Sequence, residues 1–227
     1  MKDLVTVLLY SLGTALAAYL LGSISFAVIF SKLFAKKDVR DSGSGNAGMT
    51  NVLRTIGKLP AVLTLICDLL KAVAAIFLAK WIFSTLPFME AERVGAYIGG
   101  ISVVLGHIFP VFFGFRGGKG VLTCAGVFLV LDWKLCLICI AIFLIVTLTT
   151  GYVSLGSILS MGAAPILTLV VGLTLRADFL LTRTVIWQTI FIAAIAGISI
   201  FMHRENIKRL LSGTENCFKK KKKEQNS

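Results

Sequence analysis

The sequence predicts an all-α, polytopic membrane protein of about seven transmembrane helices, N-terminus outside and C-terminus inside. Three observations carry that expectation. Hydrophobic residues make up 57% of the 227-residue chain and charged residues only 15%, and mean hydropathy is +0.90, well beyond what a soluble core needs. Apolar runs recur at 4–30, 59–80, 94–113, 118–133, 135–151, 152–175 and 185–202. Lys and Arg are distributed unevenly among the loops that these runs define.

Six of the runs are long enough, at ~1.5 Å per residue, to cross or nearly cross ~30 Å of hydrocarbon. The first is too long for a signal-peptide core and has no strongly charged segment before it. Its Ser, Thr and Gly residues lower its hydropathy without breaking it. The fourth run, 118–133, spans only ~24 Å as a helix, and charge decides its placement. If all seven cross, Lys32, Lys36, Lys37, Arg40, Arg54, Lys58, Arg116, Lys119, Arg204, Lys208, Arg209 and Lys219–Lys223 share one side, which is 16 of the 23 Lys and Arg. Lys2, Lys80, Arg93, Lys134, Arg176 and Arg183 fall on the other, and Lys71 lies within a segment. The positive-inside rule then favours seven crossings with a cytoplasmic C-terminus.

The expected organisation is one membrane domain over residues 1–213 and a disordered basic tail over 214–227, drawn to anionic lipid by Lys219–Lys223. The formal net charge of +12 follows from this arrangement. Without a soluble domain or a basic surface interleaved with aromatics, no nucleic-acid partner is expected. The five cysteines include a C-x-x-C, Cys136 and Cys139, but it lies inside an apolar run with no second pair and no nearby His. They are expected to pack, and neither a metal nor a cofactor is expected.

Three polar clusters fall on the expected inside face. The first, residues 41–54, crowds small and hydroxyl residues together: Gly43, Gly45 and Gly48, Ser42, Ser44 and Thr50, Asn46 and Asn51, then Arg54. Glycines allow positive φ, so that successive N–H groups can converge on an anion, and a guanidinium fork suits phosphate. A linker or helix cap would not need so many amide and hydroxyl groups. The second cluster, Gly106 to Gly120, turns at Pro110 and closes as Arg116-Gly117-Gly118-Lys119-Gly120. Its cations suit either phosphate or a topology anchor. The third begins His203-Arg204-Glu205-Asn206 and runs through Arg209 to Glu215; on a continuing helix His203 and Asn206 share a face. Within the membrane, Asp68 and Lys71 lie at i, i+3, either as a structural ion pair or with Lys71 turned to a substrate. Ser154 and Ser157 have the same spacing, and such hydroxyls commonly bond back to their own helix.

The clusters share one demand, the binding of phosphate-bearing ligands, of which one can be amphiphilic. Several motifs are absent. A Walker A loop fails because Phe113 stands where its first Gly should be and Gly120 follows Lys119. Two His are too few for a His-rich metal site. A His-x4-Asp base pair fails because Phe112 stands five places after His107.

The stretches GSGNAGMTNVLRT (43–55), GHIFPVFFGFRGGKGV (106–121) and HRENIKRLLSGTE (203–215) resemble the three signature motifs of the bacterial acyl-phosphate-dependent glycerol-3-phosphate acyltransferases. Length, topology and the Gly22-Ser23-Ile24 turn are similar too, so the resemblance covers essentially the whole chain. This chain departs from the pattern at Ser25-Phe26-Ala27, where the family tends to have Pro-Phe-Gly, and at Met49, where Ala is usual.

The resemblance implies transfer of a fatty acyl group from acyl phosphate to the 1-hydroxyl of glycerol 3-phosphate. The products are lysophosphatidic acid and phosphate, made at a bacterial inner membrane by a site facing the cytoplasm. It implies catalytic roles for Ser44, Arg54, Lys119, His203 and Asn206. Ser44, Arg54 and Lys119 would hold acyl phosphate. Lys119, His203, Asn206 and a hydroxyl from Ser154 or Ser157 would hold glycerol 3-phosphate. It also implies substrate-binding places for Gly43, Gly45, Asn46, Thr50 and Asn51 in the first loop and for Gly117, Gly118 and Gly120, which would allow close backbone approach, in the second, with His107 counted among them and bracing that loop. Membrane lipid is the remaining expected partner. Two other classes fit the same basic clusters: an organic-anion transporter, against which no paired broken helices stand in two halves, and a noncatalytic lipid-binding protein.

Overall fold

Packing in this protein is set by small residues where helices cross. The structure, a computed structural model, describes residues 2–175 and 179–217; the basic run Lys219–Lys223 lies outside them. Among the described residues every regular element is helical. The chain divides after Leu131 into two compact units.

The first unit holds α1 (Lys2–Gly22), α2 (Phe26–Ala35), α3 (Met49–Thr55), α4 (Lys58–Phe83), α5 (Ala91–Ile108) and α6 (Val121–Leu131). Helix α5 packs against α1 on one side and α4 on another. A Cβ at Gly99 would come within 2.6 Å of the Ala79 Cβ on α4, and one at Gly106 would overlap the Tyr19 carbonyl on α1. Backbones approach this closely only where side chains are missing. In lipid, van der Waals fit of this kind supplies much of the association between helices. Gly126 of α6 meets Ala72 and the Leu69 carbonyl of α4 in the same way.

One expectation needs correction, and the fourth run is shorter than its neighbours. The first apolar run is broken: α1 stops at Gly22, α2 starts at Phe26, and Ser23 and Ser25 between them are buried. The polar groups of the break are met from inside the unit. The Val111 N–H donates to Ser23 Oγ at 3.3 Å, and the Lys71 ammonium donates to the Ile24 carbonyl at 2.7 Å. Irregular backbone at membrane depth is stable only when satisfied in this manner. The fourth run forms a shorter helix than the others. Among the described residues, six segments are long and apolar enough to cross a membrane by length and composition, and α6 is shorter than these. It has 11 residues, ~16 Å, because Gly117 and Gly118 before it pair back along the end of α5.

The second unit holds α7 (Trp133–Thr150), α8 (Val153–Leu175), α9 (Phe179–Phe201) and the short α10 (Arg204–Leu211). Asp132 caps α7, its Oδ1 accepting from the N–H groups of Lys134 and Leu135 at 3.1 Å. Helix α8 packs on both α7 and α9. Gly156 sits against Phe143 and Thr147, and Gly172 against Val185. Cys136 and Cys139 are buried with free thiols, as packing residues would be.

Candidate active site

In the first unit, residues 38–57 form a packed cap. Val39, Ala47 and Val52 are buried with Ala27, Val28 and Ala61, and Phe113 packs on the cluster. Asn51 organises the loop. Its Nδ2 lies 2.9 Å from the Val39 carbonyl, 3.0 Å from that of Ser42 and 3.1 Å from that of Asn46, and its Oδ1 accepts from the Ser44 N–H at 3.0 Å. Sequence reasoning placed Asn51 among the ligand-binding residues; the structure turns its amide into the loop and gives it a positioning place. Gly43 has φ +62°, and a Cβ there would overlap Asn51 Oδ1. Ser44 and Arg54 are exposed beside this scaffold, Arg54 in the last turn of α3.

Arg40 joins this loop to the second one. Its Nε donates to Asp38 Oδ1 at 2.9 Å and its Nη2 to Asp38 Oδ2 at 2.8 Å, while Nη1 donates to the carbonyls of Phe113 and Arg116. The hydrogen bond from Arg40 draws the Asp38 carboxyl down to about 2, against the opposing effect of burial. Neither residue stood out in the sequence except as a loop charge.

The glycines of the second loop have a steric role. The Gly117 N–H donates to the Ile108 carbonyl and the Gly118 N–H to the His107 carbonyl, each at 3.1 Å, and the Gly117 carbonyl accepts from the Ala47 N–H at 3.3 Å. The amides of Gly117 and Gly118 are therefore committed to α5 and do not converge on an anion. A Cβ at Gly117 would overlap the His107 carbonyl, and one at Gly118 would overlap His107 Nε2. Gly120, at φ +83°, turns the chain into α6. Lys119 is held half-buried between these fixed neighbours.

Beneath the loop lies a buried charged group. Lys71 Nζ is 2.8 Å from Asp68 Oδ1 and 3.1 Å from His107 Nδ1, and His107 Nδ1 is 3.7 Å from Asp68 Oδ1. Of the two readings open for Asp68 and Lys71, the structure shows the ion pair.

The second unit gathers its polar residues around Glu215. Its Oε1 accepts from Ser154 Oγ at 3.0 Å and from Asn206 Nδ2 at 2.8 Å, and its Oε2 accepts from Arg209 Nε at 2.8 Å. Burial pushes its pKa up, but the donors Asn206, Arg209 and Ser154 outweigh it and leave the carboxyl below its ordinary value. Sequence reasoning missed this hub, although Glu215 lay within the third motif stretch. Of the two α8 hydroxyls, Ser154 joins the cluster while Ser157 donates back to the Val153 carbonyl at 3.0 Å. His203, buried, lies at the start of α10; its Nδ1 is 2.8 Å from the Ser199 carbonyl. A carbonyl only accepts, so Nδ1 carries a proton and a neutral ring has its lone pair on Nε2. Among the described residues, no group of three His, Cys, Asp or Glu could hold a metal ion.

The chain is similar to known proteins over nearly all its length. The pattern of the family described as Glycerol-3-phosphate acyltransferase matches residues 12–213. A protein named glycerol-3-phosphate acyltransferase from Thermoanaerobacter sp. (strain X514) is 42% identical over 211 residues, covering 91% of this chain and 95% of the relative. One of the same name from Clostridioides difficile (strain 630) is 41% identical over 208 residues, covering 92% and 95%. The crystal structure of PlsY (YgiH), an integral membrane glycerol 3-phosphate acyltransferase, in its glycerol 3-phosphate form is 36% identical with a TM-score of 0.76, covering 92% of this chain and 95% of that one. Its lysophosphatidic acid form gives a TM-score of 0.75 at the same identity and coverage. With this match in sequence, motifs and fold, the chain belongs to the glycerol-3-phosphate acyltransferase family of integral membrane proteins.

Proposed function

We propose that this protein transfers a fatty acyl group from acyl phosphate to the 1-hydroxyl of glycerol 3-phosphate, releasing lysophosphatidic acid and inorganic phosphate for phospholipid synthesis. Glycerol 3-phosphate as acceptor and lysophosphatidic acid as product are supported by the two ligand forms of the PlsY structure. The donor is supported by one observation: His203 Nδ1 bonds to the Ser199 carbonyl and not to a carboxylate. Its Nδ1 is thus not held by a carboxylate, as it would be in a His–carboxylate base that activates a hydroxyl against a poorly activated donor. An acyl phosphate is a mixed anhydride and needs less help.

In the step, the glycerol 1-hydroxyl oxygen attacks the acyl carbonyl carbon, and the bond from that carbon to the phosphate oxygen breaks. The leaving phosphate takes the electron pair, and a phosphate oxygen takes the hydroxyl proton. What the protein supplies is charge neutralisation and alignment. Ser44, Arg54 and Lys119 bind the acyl phosphate group. Asn206 and Ser154, set in place by Glu215, bind glycerol 3-phosphate together with His203. Gly43, Gly45, Asn46, Thr50, Asn51, Gly117, Gly118 and Gly120 shape the loops. The charge distribution supports a cytoplasmic site in a bacterial inner membrane, with the N-terminus outside and the C-terminus inside.

The test is phosphate release from acyl phosphate by the purified protein. Release only with glycerol 3-phosphate present is the expected result. Release independent of it, or none with either, contradicts the assignment; movement of an anion without phosphate release points to a transporter.

A further inference from the structure

A lysine, an aspartate and a histidine enclosed together in a membrane bundle need a reason. Removing both charges of such a pair in favour of well-packed apolar groups is often neutral or stabilising. Stability alone therefore does not account for Asp68 and Lys71, whose side chains are 1% and 4% exposed on α4. Their geometry suggests another role.

An ammonium has three N–H donors and no acceptor. Lys71 has three acceptors in range: Asp68 Oδ1 at 2.8 Å, the Ile24 carbonyl at 2.7 Å and His107 Nδ1 at 3.1 Å. Two of these are hydrogen bonds, to the Ile24 carbonyl and His107 Nδ1, and the Asp68 carboxylate lies at ion-pair distance, so the ammonium is turned into this buried group. Because the ammonium can only donate, His107 Nδ1 must accept, and the neutral ring then carries its proton on Nε2. That second nitrogen lies where the two loops meet. A Cβ on Gly118 would overlap it and would also lie 2.9 Å from the Ala47 carbonyl. The Ala47 N–H in turn donates to the Gly117 carbonyl, and the Gly118 N–H to the carbonyl of His107 itself. One lysine thus ties the break between α1 and α2 to the ring that supports Gly118, the neighbour of Lys119.

We propose that Lys71, anchored by Asp68, is a positioning residue for acyl transfer: it holds His107 as its Nε2–H tautomer beneath the Ala47–Gly118 contact and so sets the place of Lys119. This rests on the acyl-transfer reading above, and the wild-type assay separates the two. An inactive wild type faults that reading, whereas the outcomes below concern Lys71 alone.

The chain contains only two histidines, His107 and His203, so ¹⁵N-histidine labelling of the full-length protein gives two ring systems. His203→Gln assigns them by removing one. The expected wild-type spectrum shows opposite tautomers, Nε2–H at His107 and Nδ1–H at His203. In Lys71→Met the Nε2–H preference of His107 should be lost. The kcat/KM of that variant, per folded molecule by gel filtration and thermal melting, should fall about 10²-fold, as expected when a reacting group is displaced by ~1 Å. Lys71→Arg, which keeps charge and donors, should recover part of that loss. Should Lys71→Met fail to fold, Asp68→Asn/Lys71→Met removes both buried charges and is read in the same way. An Nδ1–H tautomer at His107 in the wild type overturns the proposal. So does an unchanged His107 tautomer in the variant, or normal kcat/KM in a folded variant.

Discussion

The two units build their polar clusters by opposite means. In the first, backbone holds backbone: Gly117 and Gly118 pair along α5, Ala47 pairs with Gly117, and the Asn51 side chain serves as a template for its own loop. In the second, side chains hold side chains, with the Glu215 carboxylate collecting Ser154, Asn206 and Arg209. A backbone-built loop is rigid and fails by steric intrusion. A carboxylate hub is adjustable and fails by loss of charge. Substitutions and pH should therefore affect the two clusters differently.

The largest effect is expected at Lys119, the one cation set in the rigid loop by glycines on both sides. Lys119→Ala should lose about 10²–10³-fold in kcat, the range for removing one group that stabilises developing charge. Lys119→Arg should recover little, because a wide planar head does not replace a compact ammonium there. Near-normal turnover in the alanine variant would make Lys119 a topology anchor. Next is Gly118→Ala, where the added methyl has only His107 Nε2 and the Ala47 carbonyl to displace. Steady-state kinetics should show about a 10²-fold loss of kcat/KM. A variant as active as the wild type would show that the loop is pliant.

Asn51→Leu should act mainly on folding. It leaves the Val39, Ser42 and Asn46 carbonyls and the Ser44 N–H without their shared partner. Destabilisation of about 2–4 kcal/mol is expected in thermal or denaturant melts, with activity following the folded fraction. The smallest effect belongs to the second unit. Glu215→Gln keeps an oxygen for Ser154 and Asn206 but loses the charge opposite the partly exposed Arg209, so kcat/KM should fall only about 3–10-fold, the range of a typical net hydrogen bond. The sign of its pH dependence follows from the lowered pKa. A carboxyl below its ordinary value of 4.5 stabilises the fold fully above that pH, and the contribution is lost as pH falls through the folded value. Asp38, lowered from 3.8 to about 2, acts in the same direction. The melting temperature should hold from neutrality to about pH 5 and then decline, with a shallower decline in Glu215→Gln. An identical acid limb in the variant would remove Glu215 from that account.

Much of this was legible in the residues. Long apolar runs specify membrane helices, and i, i+3 spacing correctly placed Asp68 and Lys71 on one face. Motif spacing singled out the loops that carry Ser44, Arg54 and Lys119. What stayed hidden depends on contacts distant in sequence. The break at Ser23–Ser25 is stable because Lys71 and Val111 reach it from elsewhere in the chain. Glycine content indicated a tight loop at 117–120 but not which way its amides face, and they face α5. Arg40 looked like one loop charge among many until Phe113 and Arg116 came beside it. Glu215 lies nine residues past Asn206, beyond the reach of helical periodicity.

The central claim is that a pre-activated donor makes a protein base unnecessary, so that His203 orients glycerol 3-phosphate and does not take its proton. A residue that binds ground and transition states equally changes KM and leaves kcat nearly alone. The most direct measurement is kcat and KM of His203→Gln, with His203→Ala beside it, across pH 5.5–8.5 in detergent or lipid. The expected result is a raised KM for glycerol 3-phosphate with most of the turnover retained at saturation. A loss of about 10³-fold in kcat at unchanged KM, together with a wild-type limb near the ~6.5 of an ordinary histidine, would make His203 the base and contradict the account.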